Sequence, residues 1–207
     1  MSPKVSDAYK EERRAAILEG ALQCFADKGY PATTVDDIVR RLGISKGALY
    51  NYFASKEEMF TALMEERMER LIVGVKGERY DTIPDAAGKL SLIMRRFQRQ
   101  ALQELRPLLA FYLEFSLQAS RREELRQVML RHEETAVAFI REVIEEGIRS
   151  GEFRPDLDSG EAASLFWALR DGIALQFIGS GEDEQYQVLM RGMERMLLLY
   201  ANKRPEG

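Results

Sequence analysis

The sequence predicts an all-α protein. Val, Ile and Thr together number 25 of the 207 residues, few for a sheet protein, and no segment alternates apolar and polar residues long enough to make a strand. Helix-start signals recur instead. Thr34-x-x-Asp37, Ser55-x-x-Glu58 and Asp158-x-x-Glu161 each set an oxygen acceptor ahead of a helical run, with a carboxylate at the third position after it. Gly29, Gly43 and Gly151 follow periodic stretches, as left-handed C-caps would.

These signals order the elements. A first helix runs from about Asp7 to Lys28, with Ile17, Leu18, Ala21, Leu22 and Phe25 on its inner face. Val35 to Leu42 makes a short helix presenting Val35, Ile38, Val39 and Leu42. Gly43-Ile44 turns the chain, and Ser45 caps a second short piece to about Tyr52. A long helix from Ser55 to about Val75 buries Met59, Leu63, Leu71 and Ile72, and Gly74, Gly77, Asp81 and Pro84 mark a break. Further helices are expected near Pro84–Glu104, Pro107–Ala119, Glu123–Ser150, Ser159–Ile178 and Glu184–Lys203.

Composition narrows the function. With 45% hydrophobic and 31% charged residues the chain is an ordinary globular sequence, and no stretch approaches the ~18 apolar residues of a spanning helix. The first ten residues carry no apolar export signal, so a cytoplasmic location and no membrane partner are expected. One cysteine, Cys24, and one histidine, His132, exclude an internal disulfide and a Cys/His zinc site, so no metal or cofactor is expected. Cys24 sits on an apolar helix face and reads as a buried structural thiol, and His132 as a solvated side chain. Glu133-Glu134 and Glu145-Glu146 are adjacent on helices and point apart, which leaves little for an enzyme. The net charge of −4 is uneven: residues 1–56 carry +2 and the remainder −6. A mildly basic head on an acidic body points to an anionic partner for the head.

The stretch from Thr33 to Met59 explains that partner. Two short helices joined through Gly43 form a helix-turn-helix whose second helix exposes Lys46, Gly47, Ala48, Tyr50 and Asn51, while Leu49 and Phe53 turn inward. A small, polar, cationic face of this width fits a major groove. Gly47 and Ala48 permit close approach to base edges, and Lys46 and Asn51 can donate to bases or phosphates. Ser45 opens the reading helix, and Thr34, Tyr50, Tyr52 and Lys56 offer donors at spacings suited to backbone phosphates.

This segment resembles the N-terminal domain of the TetR family of transcriptional regulators. The likeness is carried by Ala16, Phe25, Lys28-Gly29-Tyr30, Thr33-Thr34, Gly43-Ile44-Ser45-Lys46-Gly47, Leu49-Tyr50-x-Tyr52-Phe53 and Ser55-Lys56-Glu57-Glu58-Met59. Val39 and Leu42 stand where small alanines are usual, and Tyr52 where histidine is common, which keeps a donor and loses a charge. The resemblance implies a homodimer that binds a palindromic double-stranded operator, usually repressing, and leaves it when a small molecule enters the C-terminal domain. On this reading residues 1–54 are the DNA-binding head, and residues 55–207 a helical effector-binding and dimerisation domain. The turn Gly151–Pro155 and the run Leu165–Gln176 are similar to the C-terminal domain of choline/betaine-type repressors. An effector-independent DNA-organising or interaction factor built on the same head is the alternative.

Two features locate functions in the body. Glu114 is embedded in Phe111-Tyr112-Leu113-Glu114-Phe115, and a carboxylate among aromatics is either paired or waits for a cation. Phe111, Glu114, Phe115 and Trp167 are therefore the candidate lining of a pocket for a lipophilic or cationic effector. The apolar helices around Trp167 and Met193 are the candidate dimer bundle. The Arg-rich stretch Met94–Arg99 is expected to be an exposed face with Phe97 turned inward.

Overall fold

The computed structural model describes residues 7–77, 80–99 and 102–202. Among them are nine α-helices, one 3-10 turn at Tyr80–Thr82, and no strand beyond an isolated bridge between Phe153 and Asn202. The helices are α1 (Asp7–Lys28), α2 (Val35–Leu42), α3 (Lys46–Tyr50), α4 (Lys56–Gly77), α5 (Ala86–Arg99), α6 (Leu102–Ala119), α7 (Glu123–Ser150), α8 (Ser159–Ser180) and α9 (Asp183–Ala201).

All three sequence-visible caps form. Thr34 and Asp37 make a reciprocal capping box, Ser55 Oγ accepts from the Glu58 N–H at 3.1 Å, and Asp158 accepts from the Glu161 N–H at 2.9 Å. Gly29, Gly43 and Gly151 adopt φ of 79°, 64° and 76°, and Gly181 does the same at the end of α8.

Two details differ from expectation, the place of Gly74 in α4 and that of Pro107 in α6. Helix α4 continues through Gly74 to Gly77, because one glycine costs a helix only about 1 kcal/mol while Val75 beyond it is fully buried. The break falls where expected, after Gly77 and through Asp81 and Pro84. Of the segment Pro84–Glu104, α5 accounts for Ala86–Arg99, Gln100 and Ala101 lie outside the described residues, and Leu102 belongs to α6. Pro107 thus sits inside α6 rather than at its start. Its fixed φ suits a helix, while its missing N–H removes one ladder bond. Lys203, the expected end of the last helix, also lies outside the described residues.

The compact units do not divide at residues 54 and 55. One comprises the chain up to Glu66 together with Ala110–Met129, and the other Arg67–Leu109 with the chain from Leu130 onward. Helices α4, α6 and α7 contribute residues to both.

The first unit is built on an aromatic cluster. Phe25, Tyr30, Phe60, Phe111 and Phe115 are each 2% exposed or less. Phe60 stacks on Phe115 with centroids 3.3 Å apart, and Phe25 on Phe111 at 4.8 Å. The core of the second unit gathers Ile93, Ile140, Phe153, Ala163, Phe166 and Met190. Glu152 accepts from the Ala86 and Ala87 N–H groups at the start of α5, where four donors would otherwise lack partners. Lys89, one of few charged residues that the core covers, is paired with Glu146.

Candidate nucleic-acid interface

The short helix α3 is held by its inward side. Leu49 and Phe53 are 0% and 1% exposed, and the turn into α3 is closed by Gly43, whose N–H donates to Arg40 O while the Ile44 N–H donates to Val39 O. At φ 64° a side chain would be strained there, which fixes glycine at the corner of the helix-turn-helix. Ser45 caps α3, its Oγ accepting from the Ala48 N–H at 3.1 Å.

The outward side carries the expected reading residues. Ser45, Lys46, Gly47, Tyr50 and Asn51 are exposed, and Ala48 and Tyr52 half-buried. Thr34, Tyr50 and Lys56 come together around an open cleft of about 400 Å³, which Pro31, Ala54 and Ser55 help to line. The structure thus groups three of the four expected phosphate donors beside the reading helix.

Several of these donors already have partners. Lys46 Nζ lies 2.7 Å from Asp36 on α2, and that carboxylate holds the ammonium above the usual lysine value. The Thr34 hydroxyl donates to Asp37 Oδ2 at 2.8 Å and accepts from the Asp37 N–H at 3.2 Å. The Asp37 carboxyl is held well below the carboxylate range, first by Lys28 and then by Thr34. Lys56 Nζ donates to Tyr30 O and Thr33 O at 2.9 and 2.8 Å and sits 4.5 Å above the Tyr30 ring. Burial lowers its pKa from the ordinary value. An ammonium carries three donors, so one N–H of Lys56 is left for a phosphate.

Lys56 therefore ties down the loop between α1 and α2 as well as facing the cleft. Lys56→Ala is expected to lower stability by about 1.5–3 kcal/mol, the scale of hydrogen bonds from a charged group, and to reduce the salt slope of duplex binding by about one. Thermal melting and binding titrations at several salt concentrations check both. A lower melting temperature with an unchanged slope would leave Lys56 only its structural task.

The expected effector residues belong to different units. Phe111 and Phe115 are in the first unit, fully buried in its aromatic cluster. Of the two alternatives for Glu114, pairing is the one observed: Oε2 accepts from the Tyr30 N–H at 2.6 Å. That carboxylate closes against the end of α1 so tightly that a Cβ on Gly29 would lie 2.9 Å from it. Trp167 belongs to the second unit, where its Nε1–H donates to Ala136 O at 2.7 Å. Met193 is 3% exposed, inside the second unit and not on its surface.

Cys24 is buried, and the Thr33 hydroxyl donates to its carbonyl. His132 is half-buried rather than solvated, and burial holds its pKa below the ordinary value. In the Arg-rich stretch Phe97 is buried, while Arg95, Arg96 and Arg99 are exposed. Among the described residues no cluster could hold a metal ion, and no helix is long and apolar enough to cross a membrane.

Asp36 and the backbone carbonyls that Lys56 holds had no signal in the sequence. Pairing across two helices leaves no local pattern, unlike a cap.

Residues 17–63 match the bacterial regulatory proteins of the tetR family, and residues 88–198 match the C-terminal domain of BetI-type transcriptional repressors. The chain is 31% identical over 174 residues to the HTH-type transcriptional regulator YfiR of Bacillus subtilis, covering 84% of this chain and 83% of that one. It is 33% identical over 147 residues to the HTH-type transcriptional repressor KstR2 of Mycolicibacterium smegmatis, covering 70% of each. Its fold superimposes with a TM-score of 0.78 on the fatty acid degradation regulator FadR from Bacillus halodurans, at 23% identity over 90% of this chain and 94% of that one.

Proposed function

Because the chain belongs to the tetR family of bacterial regulatory proteins and carries a BetI-type C-terminal domain, we propose that it acts in the cytoplasm as a homodimeric repressor that reads a palindromic operator through residues 45–52 of each subunit. A small molecule bound in the second unit releases it. The observation that carries the reading half is the outward face of α3, where Lys46, Gly47, Tyr50 and Asn51 are exposed over a fully buried Leu49. Lys46 and Asn51 choose the sequence. Tyr50, Tyr52 and Lys56 hold phosphates, and Ser45, Ala48 and Thr34 lie alongside as positioning groups.

The dimer half rests on two apolar stripes. On α8, Leu165 and Leu175 are 40% and 55% exposed with Gly172 and Gly179 beside open space; on α9, Val188, Met196 and Leu199 are 49%, 58% and 77% exposed. Residues spaced in this way share one face of each helix, and two such helices from each subunit make a four-helix interface. A two-fold dimer requires two half-sites.

Release needs a ligand that binds the DNA-incompetent state more tightly, since equal affinity for both states shifts nothing. The aromatic surroundings of Trp167 support a lipophilic effector. Glu114 lends no support to a cationic one, since its carboxylate is already paired with Tyr30.

Binding selection from random duplexes tests the proposal. Inverted repeats are expected, and Asn51→Ala is expected to relax base choice at one position of each half-site by about 1–3 kcal/mol. An optimum with a single half-site would overturn it.

A further inference from the structure

Folded proteins rarely bury a polar atom without a partner, and one left so asks for a water, an ion or a ligand. Among the described residues of the second unit, the Tyr186 hydroxyl, the Arg170 Nε and the Gln98 Nε2 are buried with no hydrogen-bond partner. They come from three different helices, α9, α8 and α5.

Their surroundings draw them together. The Arg170 guanidinium lies 5.1 Å from the centre of the Phe97 ring and 5.9 Å from that of Trp167. Gln98 follows Phe97 directly, and its carbonyl accepts from Gln187 Nε2 at 2.9 Å, which ties it to the residue after Tyr186. The Tyr186 ring, 2% exposed, packs 5.2 Å from Phe177. Burial raises the Tyr186 phenol pKa, and the positive charge of Arg170 acts against that rise.

The chemistry of the three groups is one-sided. A guanidinium or amide N–H only donates, and a phenol donates readily. What they lack is an oxygen acceptor, which a cationic headgroup does not bring. Arg170 Nη1 is already paired with Asp171 at 2.8 Å, so a neutral carbonyl suits Nε as well as a carboxylate does. Phe97, Phe166 and Phe177, each 5% exposed or less, supply apolar walls. His132 and Glu133 are the other titratable groups that sense the Arg170–Asp171 pair. Burial disfavours the charged form of each.

We propose that α5, α8 and α9 hold an apolar molecule by an oxygen-acceptor head, a carboxylate or an ester carbonyl, which receives hydrogen bonds from Arg170 Nε, Tyr186 Oη and Gln98 Nε2. This names the effector class for the ligand-released repressor and rests on that reading.

The test uses the full-length chain with straight-chain carboxylates, their methyl esters and alkyltrimethylammonium salts of equal chain length. Thermal shift and calorimetry are compared for the native chain, Tyr186→Phe and Arg170→Lys. Lysine retains a cation for Asp171 and deletes Nε. A carboxylate or its ester is expected to bind and raise Tm, and which of the two does so identifies the head. Tyr186→Phe should weaken binding by about three- to tenfold and Arg170→Lys by about tenfold or more. The ligand-free Tm of Tyr186→Phe should not fall, because the lost hydroxyl had no partner; a purely structural tyrosine would lower it. Stabilisation by the ammonium salts alone, by none of the probes, or equally in all three chains overturns the site and leaves water as the partner. Gel shift separates the two proposals: binding that depends on Arg170 and Tyr186 without release of DNA upholds the site and overturns ligand release.

Discussion

Leu199→Glu is expected to yield a folded chain that sediments as a monomer and no longer holds a duplex with two half-sites. Leu199 is 77% exposed in the single chain, so a carboxylate there stays hydrated and the fold loses nothing. In a dimer built on α8 and α9 the same carboxylate is buried twice, once from each subunit, at several kcal/mol apiece without a partner. Losing the second half-site then forfeits about 10²- to 10⁴-fold in avidity. Leu197, although on the same helix, is a poorer choice, because it packs against the core of its own unit and a change there mixes folding with association. Met193→Glu is the opposite control: at 3% exposure it should fail to fold. Sedimentation velocity and gel shift decide the matter, and a stable dimer with normal binding would place the interface on another surface.

Phe115→Ala is expected to destabilise the protein by about 3–5 kcal/mol, the range for truncating a buried aromatic, and to abolish operator binding through unfolding of the first unit. Its ring is fully buried between Phe60, stacked at 3.3 Å, and Tyr30, edge-on at 5.0 Å, so truncation opens a cavity between them. The loss should appear in urea melts without any ligand. A pocket residue at this position would instead leave the melt unchanged and alter only the response to an effector. Glu114→Ala, which leaves the Tyr30 N–H without its acceptor, should cost less, about 1–3 kcal/mol.

What the sequence revealed divides by range of interaction. Capping boxes, helix-ending glycines and the apolar spacing of α1 to α3 act within a few residues, and each is visible as a short pattern, as Thr34 with Asp37 shows. The exposed face of α3 was legible for the same reason, since Leu49 and Phe53 point inward at helical spacing. Interactions that span many residues were not. Glu114 could be read as paired or as awaiting a cation, because its acceptor role toward Tyr30 spans 84 positions. Phe111 and Phe115 looked like pocket residues because aromatic spacing states only that a face is apolar and not what covers it. The division into compact units was not legible either: α6 lends its last turns to the first unit, and nothing in its composition changes where it does so. The unpartnered Arg170 Nε and Tyr186 hydroxyl became visible only once three helices were packed.

With Lys46 resting on Asp36, one cation of the exposed α3 face meets a stray duplex already paired. Breaking an exposed ion pair costs only about 0.2–1 kcal/mol, a toll charged alike at every position on DNA. A phosphate, one acceptor among many, does little more for the ammonium than the carboxylate it would leave. A guanine edge that binds through two acceptors does more. In the proposed reading mode the lysine is therefore drawn out where the right base stands and stays on Asp36 elsewhere. Against the ~10⁶–10⁹ competing sites of a genome, fewer copies of the regulator are stranded, and a given number of molecules keeps more operators covered.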